Sequence, residues 1–288
     1  MSSYLNEIFG LQGKSVVVLG GSGRLCGEMA LGLSKAGAEQ VIITSRTLEK
    51  AEAKAAELRQ GHAGKIVAAA CDVTNAKSLE AFIASLKKLG VTAVHCLING
   101  AGGNHPKATV APNDTLLTAD LSGFREVFDS NFISTHYATV ALLPLLIAAK
   151  DASIINVGSM SGETPLSRVG GYSAAKAAVH RYTEWLAAEF ATKKDQYGAT
   201  IRVNTIAPGF FPAEQNAKLL FDESKKDMPF PENLSERGRK IIGHTPMGRF
   251  GCADDLIGTT ILLASSKASR FITGALIPVD GGFSSFTL

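Results

Sequence analysis

The chain has 288 residues, 45% hydrophobic and 19% charged, enough apolar content to bury a large core in one domain and too little charge for a disordered chain. Its formal charge of +3 carries no basic surplus of the kind that binds a phosphate backbone, so nucleic acid is not expected as a partner.

In chain order, short β-branched runs predict strands near Ser15–Leu19, Gln40–Thr44, Lys65–Cys71, Ala93–Ile98, Ser153–Val157, Thr200–Ile206 and Ala275–Val279. The first and fourth runs are almost wholly apolar, as strands buried on both faces must be. Between the strands lie helical patterns at about Cys26–Ala36, Ala51–Gln60, Ala76–Leu89 and Gly123–Ala148. This alternation predicts a single α/β domain over residues 1–288, a doubly wound parallel sheet of seven strands flanked by helices. Residues 14–102 form mainly the cofactor-binding half. Two irregular excursions, 103–122 and 210–244, follow strand ends on the side where open parallel sheets bind ligands, and are read as substrate walls.

The longest apolar stretch, Val140 to Ala149, contains Pro144 and is about half the ~20 residues that cross a bilayer, so no membrane span is expected. Residues 1–13 lack a basic region followed by an apolar core, which makes the cytoplasm the expected location. Cys26, Cys71, Cys96 and Cys252 are widely separated, with no histidine cluster beside them. Buried thiols are expected rather than disulfides, and no metal site.

After the first strand comes Gly20-Gly21-Ser22-Gly23-Arg24-Leu25-Cys26-Gly27, opening a helix. Glycines there let a pyrophosphate approach backbone N–H groups at the positive end of a helix, although a plain strand-to-helix turn uses glycine too. The second strand ends Thr44-Ser45-Arg46, with a guanidinium where an acid would accept from ribose hydroxyls. Arg24 and Arg46 together could clamp a 2′-phosphate, so NADP(H) is favoured over NAD(H). Asp72, next to Val73, could accept from an adenine amino group or serve as a turn or cap residue.

Tyr172 and Lys176 lie four residues apart, on one face of a helix. A phenol titrates near 10 and needs a nearby cation to exchange protons at neutral pH. Lys176, together with an oxidised nicotinamide, would lower it, making Tyr172 a general acid or base. Ser159 follows a strand and could bond the substrate oxygen. Asn131, a poor helix former inside a helical stretch, could hold a water of a proton relay or simply be exposed.

With these residues in view, the chain resembles the short-chain dehydrogenase/reductase family along nearly its whole length. The matching positions are Gly21-xxx-Leu25-x-Gly27, Asp72, Asn99-Gly-Ala101-Gly102, Asn131, Ser159, Tyr172-xxx-Lys176 and Pro208-Gly209. The resemblance implies a Rossmann-type fold and a catalytic tetrad of Asn131, Ser159, Tyr172 and Lys176. It also implies cofactor contacts at these positions and a homotetramer or homodimer packed through helices. Three departures stand out: Leu25 replaces the middle glycine, Gly20 the usual threonine, and Phe210-Phe211-Pro212 follows Pro208-Gly209 where a threonine is customary.

Asn99–Pro106, Ala207–Phe211, Thr245–Gly251 and Pro278–Ser284 also resemble the D-mannonate oxidoreductase (D-fructuronate reductase) branch. That likeness implies NADP(H)-linked interconversion of a ketone and an alcohol on a small sugar acid. Arg168 is the expected carboxylate partner, with Asn104, His105, Gln215 and Asn216 as hydroxyl contacts. Alternative readings are reduction of a 3-oxoacyl thioester or other carbonyl, and a sensor that binds NADP(H) without turnover.

Overall fold

The structure, a computed structural model, describes residues 3–60 and 64–285, with the side chains of Glu214 and Gln215 outside the description. Seven parallel strands form one sheet: β1 (Ser15–Leu19), β2 (Gln40–Ser45), β3 (Ile66–Ala70), β4 (Cys96–Asn99), β5 (Asp151–Val157), β6 (Thr200–Pro208) and β7 (Leu276–Val279). Their spatial order is β3-β2-β1-β4-β5-β6-β7, so the winding reverses between β1 and β4. That reversal opens a crevice at the strands' carboxyl ends. All seven expected strands are present, with ends displaced by a few residues at most.

The helices are α1 (Ser3–Phe9), α2 (Arg24–Lys35), α3 (Leu48–Arg59), α4 (Ala76–Lys88), α5 (Phe124–Phe128), α6 (Ser134–Ala148), α7 (Gly170–Thr192), α8 (Lys194–Tyr197), α9 (Glu214–Leu220), α10 (Glu236–Gly243) and α11 (Ile257–Ala264). One face of the sheet buries Val16, Val18, Ile43 and Ile98 against Met29, Leu33, Leu256 and Leu263. The opposite face buries Val17, Leu97 and Ile154 against Phe82, Leu86, Leu142 and Leu146. Period-two alternation along each strand feeds both layers, which is why β1, β2 and β4 are buried throughout.

The excursion 210–244 is more ordered than its composition suggests. It contains α9 and α10, whose Leu220 and Ile241, with Leu234 between the helices, form a third cluster with Met160, Phe250 and Phe283. These helices are short, and their apolar pattern is interrupted by charge, so periodicity alone does not expose them. One further expectation needs revision. Cys26, Cys71 and Cys96 are buried as read, but Cys252 is exposed. The run Phe124–Ala148 is long and apolar enough, by composition, to cross a membrane. Its residues Ala138, Leu142 and Leu146 nevertheless pack in the core beneath the sheet.

Leu142 is wholly buried in that layer. Leu142→Ala should lower the unfolding free energy by about 2–5 kcal/mol, the cost of lost transfer energy plus a cavity, measured by urea denaturation.

Candidate active site

The glycine turn sits at the reversal point. Gly20 has φ of +73°, and a Cβ there would lie 2.8 Å from the Ala101 backbone nitrogen. Backbone conformation and crowding therefore explain why glycine occupies this position. The Gly20 N–H donates to Thr44 Oγ1 at 3.2 Å, tying the turn to β2. Gly23 caps α2 with no side-chain hydrogen bond, so no side chain competes for the N–H groups of the first turn. A pyrophosphate fits such a terminus. Leu25, at the departing position, packs half-buried on the core beneath. Beside the turn Leu19, Val73, Asn99, Ala101, Ser134 and Thr135 line a shallow dent.

Arg46 follows β2 and is exposed. Arg24 is also exposed, but its Nη1 donates to the Pro212 carbonyl at 2.7 Å, bridging the glycine turn to the segment after β6. The two-arginine clamp expected for a 2′-phosphate is thus not assembled: Arg46 is open and Arg24 is engaged elsewhere. Asp72 Oδ1 accepts from the Thr74 N–H and hydroxyl at 3.0 and 2.7 Å, the turn role left open by the sequence. Asn99 donates to Asn156 Oδ1 at 2.8 Å and Thr139 Oγ1 at 3.1 Å, locking β4 to β5 and α6.

Tyr172, Lys176 and Ser159 converge where β5 meets the start of α7. Lys176 is buried and its Nζ donates to the Val157 carbonyl at 2.8 Å, 5.6 Å from the Tyr172 ring centre. Burial pulls its pKa down to about 8, against a small opposing effect of Cys26. Tyr172 is pushed above the ordinary phenol range by burial, with a hydrogen bond from Ser159 acting against the shift. The depression expected from Lys176 is therefore not a property of the chain alone, because desolvation of the phenolate outweighs it.

Asn131 is not exposed. It lies in a π-turn, Asp129–Ile133, between α5 and α6, and is buried. Its Nδ2 donates to the carbonyls of Val127 and Gly103 at 2.7 and 2.8 Å, and its Oδ1 accepts from the Gly103 N–H at 3.1 Å. Both ends of the amide are committed to backbone, so it anchors the loop after β4 to the helix. A π-turn places a side chain off the regular helical face, a device common at functional sites.

The candidate substrate contacts divide. Asn104 donates to Thr109 Oγ1 at 2.7 Å, and His105 Nδ1 accepts from the Lys107 N–H at 3.1 Å, so both fold back on their own loop. Asn216 likewise spans Ala213 N and Phe211 O at 2.7 and 3.0 Å, stapling the start of α9. These three side chains thus each have a partner within their own loop, while Asn104 Oδ1 and His105 Nε2 carry no hydrogen bond of that kind. Gln215 lies outside the described side chains. Arg168 is held in the left-handed region at φ +77°, with Nε donating to the Val110 carbonyl at 2.8 Å and Val110 N–H returning to Arg168 O at 2.9 Å. Both of its terminal nitrogens remain available.

Three residues were not anticipated. Arg237 on α10 is half-buried, and burial together with the like charge of Arg168 holds it below the ordinary guanidinium range. Ser161 bonds Ser159 Oγ through its N–H at 3.2 Å and its hydroxyl at 3.0 Å. His180 contacts the Ser159 backbone. Of these, only His180 carries a signal in the sequence, its spacing of four from Lys176. A separate cleft of about 320 Å3, lined by Phe211, Met247, Arg249 and Asp280 among others, contains none of Ser159, Tyr172 or Lys176.

A family model for short chain dehydrogenase matches residues 14–224. The chain is a short-chain dehydrogenase. It is accordingly an oxidoreductase of CH–OH groups. The Bacillus subtilis oxidoreductase UxuB is 40% identical over 286 residues, covering 96% of this chain and 97% of the relative. A solved Haemophilus influenza protein, provisionally named a D-mannonate oxidoreductase and holding NAD, superposes with a TM-score of 0.86 at 33% identity, over 98% of this chain and 99% of its own. A gluconate 5-dehydrogenase from Burkholderia cenocepacia, in complex with NADP and tartrate, gives 0.81 at 28% identity, over 98% and 100%.

The depressed lysine has a measurable consequence for this dehydrogenase. The folded chain releases the Lys176 proton near pH 8, whereas an unfolded lysine holds it to about 10.4. Between those values the unfolded state binds more protons, so rising pH favours the folded state. Urea unfolding of the cofactor-free protein should show wild type gaining stability relative to Lys176→Met between pH 7 and pH 9.5. No relative gain would mean that the ammonium is solvated.

Proposed function

We propose that this dehydrogenase interconverts a ketone and a secondary alcohol on a sugar acid, D-fructuronate and D-mannonate being the favoured pair, with NADP(H) as cofactor. The observation that carries an acidic substrate is the Arg168–Arg237 pair. Two guanidinium groups near enough to repel share a half-buried region with no carboxylate paired to either among the described residues. Such a pair is relieved by an anion, and guanidinium groups suit the fork of a carboxylate. The sugar-acid enzymes among the similar structures support the same reading, the Burkholderia protein holding the dicarboxylate tartrate.

Bound at the glycine turn, NADP(H) would supply or take up the hydride. The chain's own groups handle the oxygen. Ser159 Oγ receives two hydrogen bonds from Ser161 and directs its own proton toward Tyr172, so a substrate oxygen entering between them would take that hydrogen bond. Tyr172, kept protonated at neutral pH by burial, donates a proton to the developing alkoxide. Lys176, still largely charged at pH 7, stabilises the phenolate that remains. In the oxidative direction the same phenol must first lose its proton, and the positive charge of oxidised nicotinamide helps it do so.

Cofactor choice rests on Arg46, open at the end of β2 where an acid would select an unphosphorylated ribose. The similar structures differ on this point, one holding NAD and another NADP. A homodimer or homotetramer is supported by an exposed apolar face of α6 and α7 bearing Tyr137, Val140 and Trp185.

A panel of D-fructuronate, 5-keto-D-gluconate and an acetoacetyl thioester tests the reading, with NADPH oxidation followed optically. The keto acids should turn over and the thioester should not. Arg237→Met should raise KM for the keto acid about 10- to 100-fold with a smaller change in kcat, as loss of one charge-assisted contact does. Turnover of the thioester alone would overturn the assignment. Arg46→Asp should weaken NADPH binding about 10- to 100-fold and NADH binding far less; equal effects on both would reject the 2′-phosphate contact.

A further inference from the structure

Against the backbone of Ser159 sits a buried imidazole with constrained hydrogen bonding. His180 is one turn beyond Lys176 and two beyond Tyr172 on the same face of α7, and is 5% exposed. Its Nε2 accepts the backbone N–H of Ser159 at 3.3 Å, and its Nδ1 lies 2.8 Å from Glu163 Oε1. A backbone N–H can only donate, so Nε2 must be the bare nitrogen and Nδ1 must carry the proton, which it gives to the Glu163 carboxylate. Only the neutral ring in this one tautomer satisfies both neighbours. A protonated ring would direct N–H against N–H at Ser159.

The surroundings leave room for this ring and little else. A Cβ at Gly162 would fall 2.5 Å from His180 Cε1 and 2.8 Å from Nδ1, and one at Gly158 would collide with Nε2. The two glycines that bracket the serine loop therefore form a slot for the imidazole. Ser159 is thereby fixed at its backbone by His180 and at its hydroxyl by Ser161. Glu163, half-exposed at the mouth of the slot, is the ring's connection to solvent.

We propose that His180, locked by Glu163 as its Nδ1–H tautomer, is a positioning residue that holds Ser159 in its working orientation, and that protonating the imidazole releases Ser159 and slows turnover. This rests on Ser159 bonding the substrate oxygen, as set out above. The charged groups that reach His180 are Glu163 from the serine loop and Lys176 and Glu184 from its own helix. Burial, aided by Lys176, holds the ring below the ordinary histidine range, against the pull of Glu163 and Glu184. The ring is consequently neutral at pH 7, and its protonation should slow turnover on the acid side, as pH drops through the depressed value.

Two measurements test the assignment. In 15N-histidine-labelled protein, the signal lost in His180→Gln should show a bare Nε2 and a protonated Nδ1 at pH 7.5. The opposite tautomer, or a cationic ring, overturns the proposal whatever the substrate. In the NADPH assay with the keto acid of the panel that turns over, His180→Leu should lower kcat about 10- to 100-fold, the scale of a misplaced catalytic group, while the Kd for NADPH changes little. His180→Gln, whose side-chain oxygen can still accept from Ser159, should recover much of the rate and abolish the acid limb. Glu163→Gln, which removes the charge that raises the histidine, should move that limb to lower pH. Wild-type kcat and an unmoved acid limb in all three variants would overturn the proposal. Ser159→Ala separates the two levels: if it too turns over normally, the reading of Ser159 fails; if it alone is inactive, only the role of His180 fails.

Discussion

Every strand of the sheet runs the same way, and the winding reverses between β1 and β4. A parallel sheet aligns its strands' carboxyl ends along one edge, so groups far apart in the chain arrive together without any local signal linking them. Gly20–Gly23 follow β1, Arg46 follows β2, Asn99 ends β4, Ser159 follows β5 and Pro208 ends β6. The Lys176–Val157 hydrogen bond then docks the start of α7 against the end of β5, which sets the phenol beside the serine. Buried apolar strands hold this edge rigid, and rigidity is what lets a few hydrogen bonds orient a reacting oxygen.

Burial serves chemistry here at the expense of stability. Lys176, Tyr172 and His180 are all shifted toward their neutral forms by desolvation. A protonated phenol suits reduction, and a neutral imidazole is the only form that can accept from Ser159. The half-buried Arg237 belongs to the same pattern, held below its ordinary range by burial and by the like charge of Arg168.

Much of the site is legible from local pattern. Tyr172 and Lys176 share a helical face, and the glycine turn lies between a strand and a helix; both relations follow from the short periods of regular structure. Local pattern does not show which polar side chain has a partner in its own loop. Asn104, His105 and Asn216 have the right chemistry for a sugar, yet each satisfies its own loop first, because a neighbour two to five residues away costs little entropy to reach. The surroundings of Asn131 are hidden for a related reason: a π-turn, invisible to composition, turns its amide onto Gly103.

The amino-acid sequence by itself determines the seven strands, the two-layered core, the glycine turn and the paired phenol and ammonium, since each depends on periodicity or spacing within a single element. Tertiary structure alone decides which cations face each other and which rings face which backbone groups. The charge of Arg168 reaches Arg237, sixty-nine positions on, because α10 packs through Ile241 on an apolar cluster that includes Met160. His180 reaches Ser159 only because Gly158 and Gly162 leave a slot for it. Such meetings depend on packing between elements, and packing is a property of volume and direction that no linear spacing records.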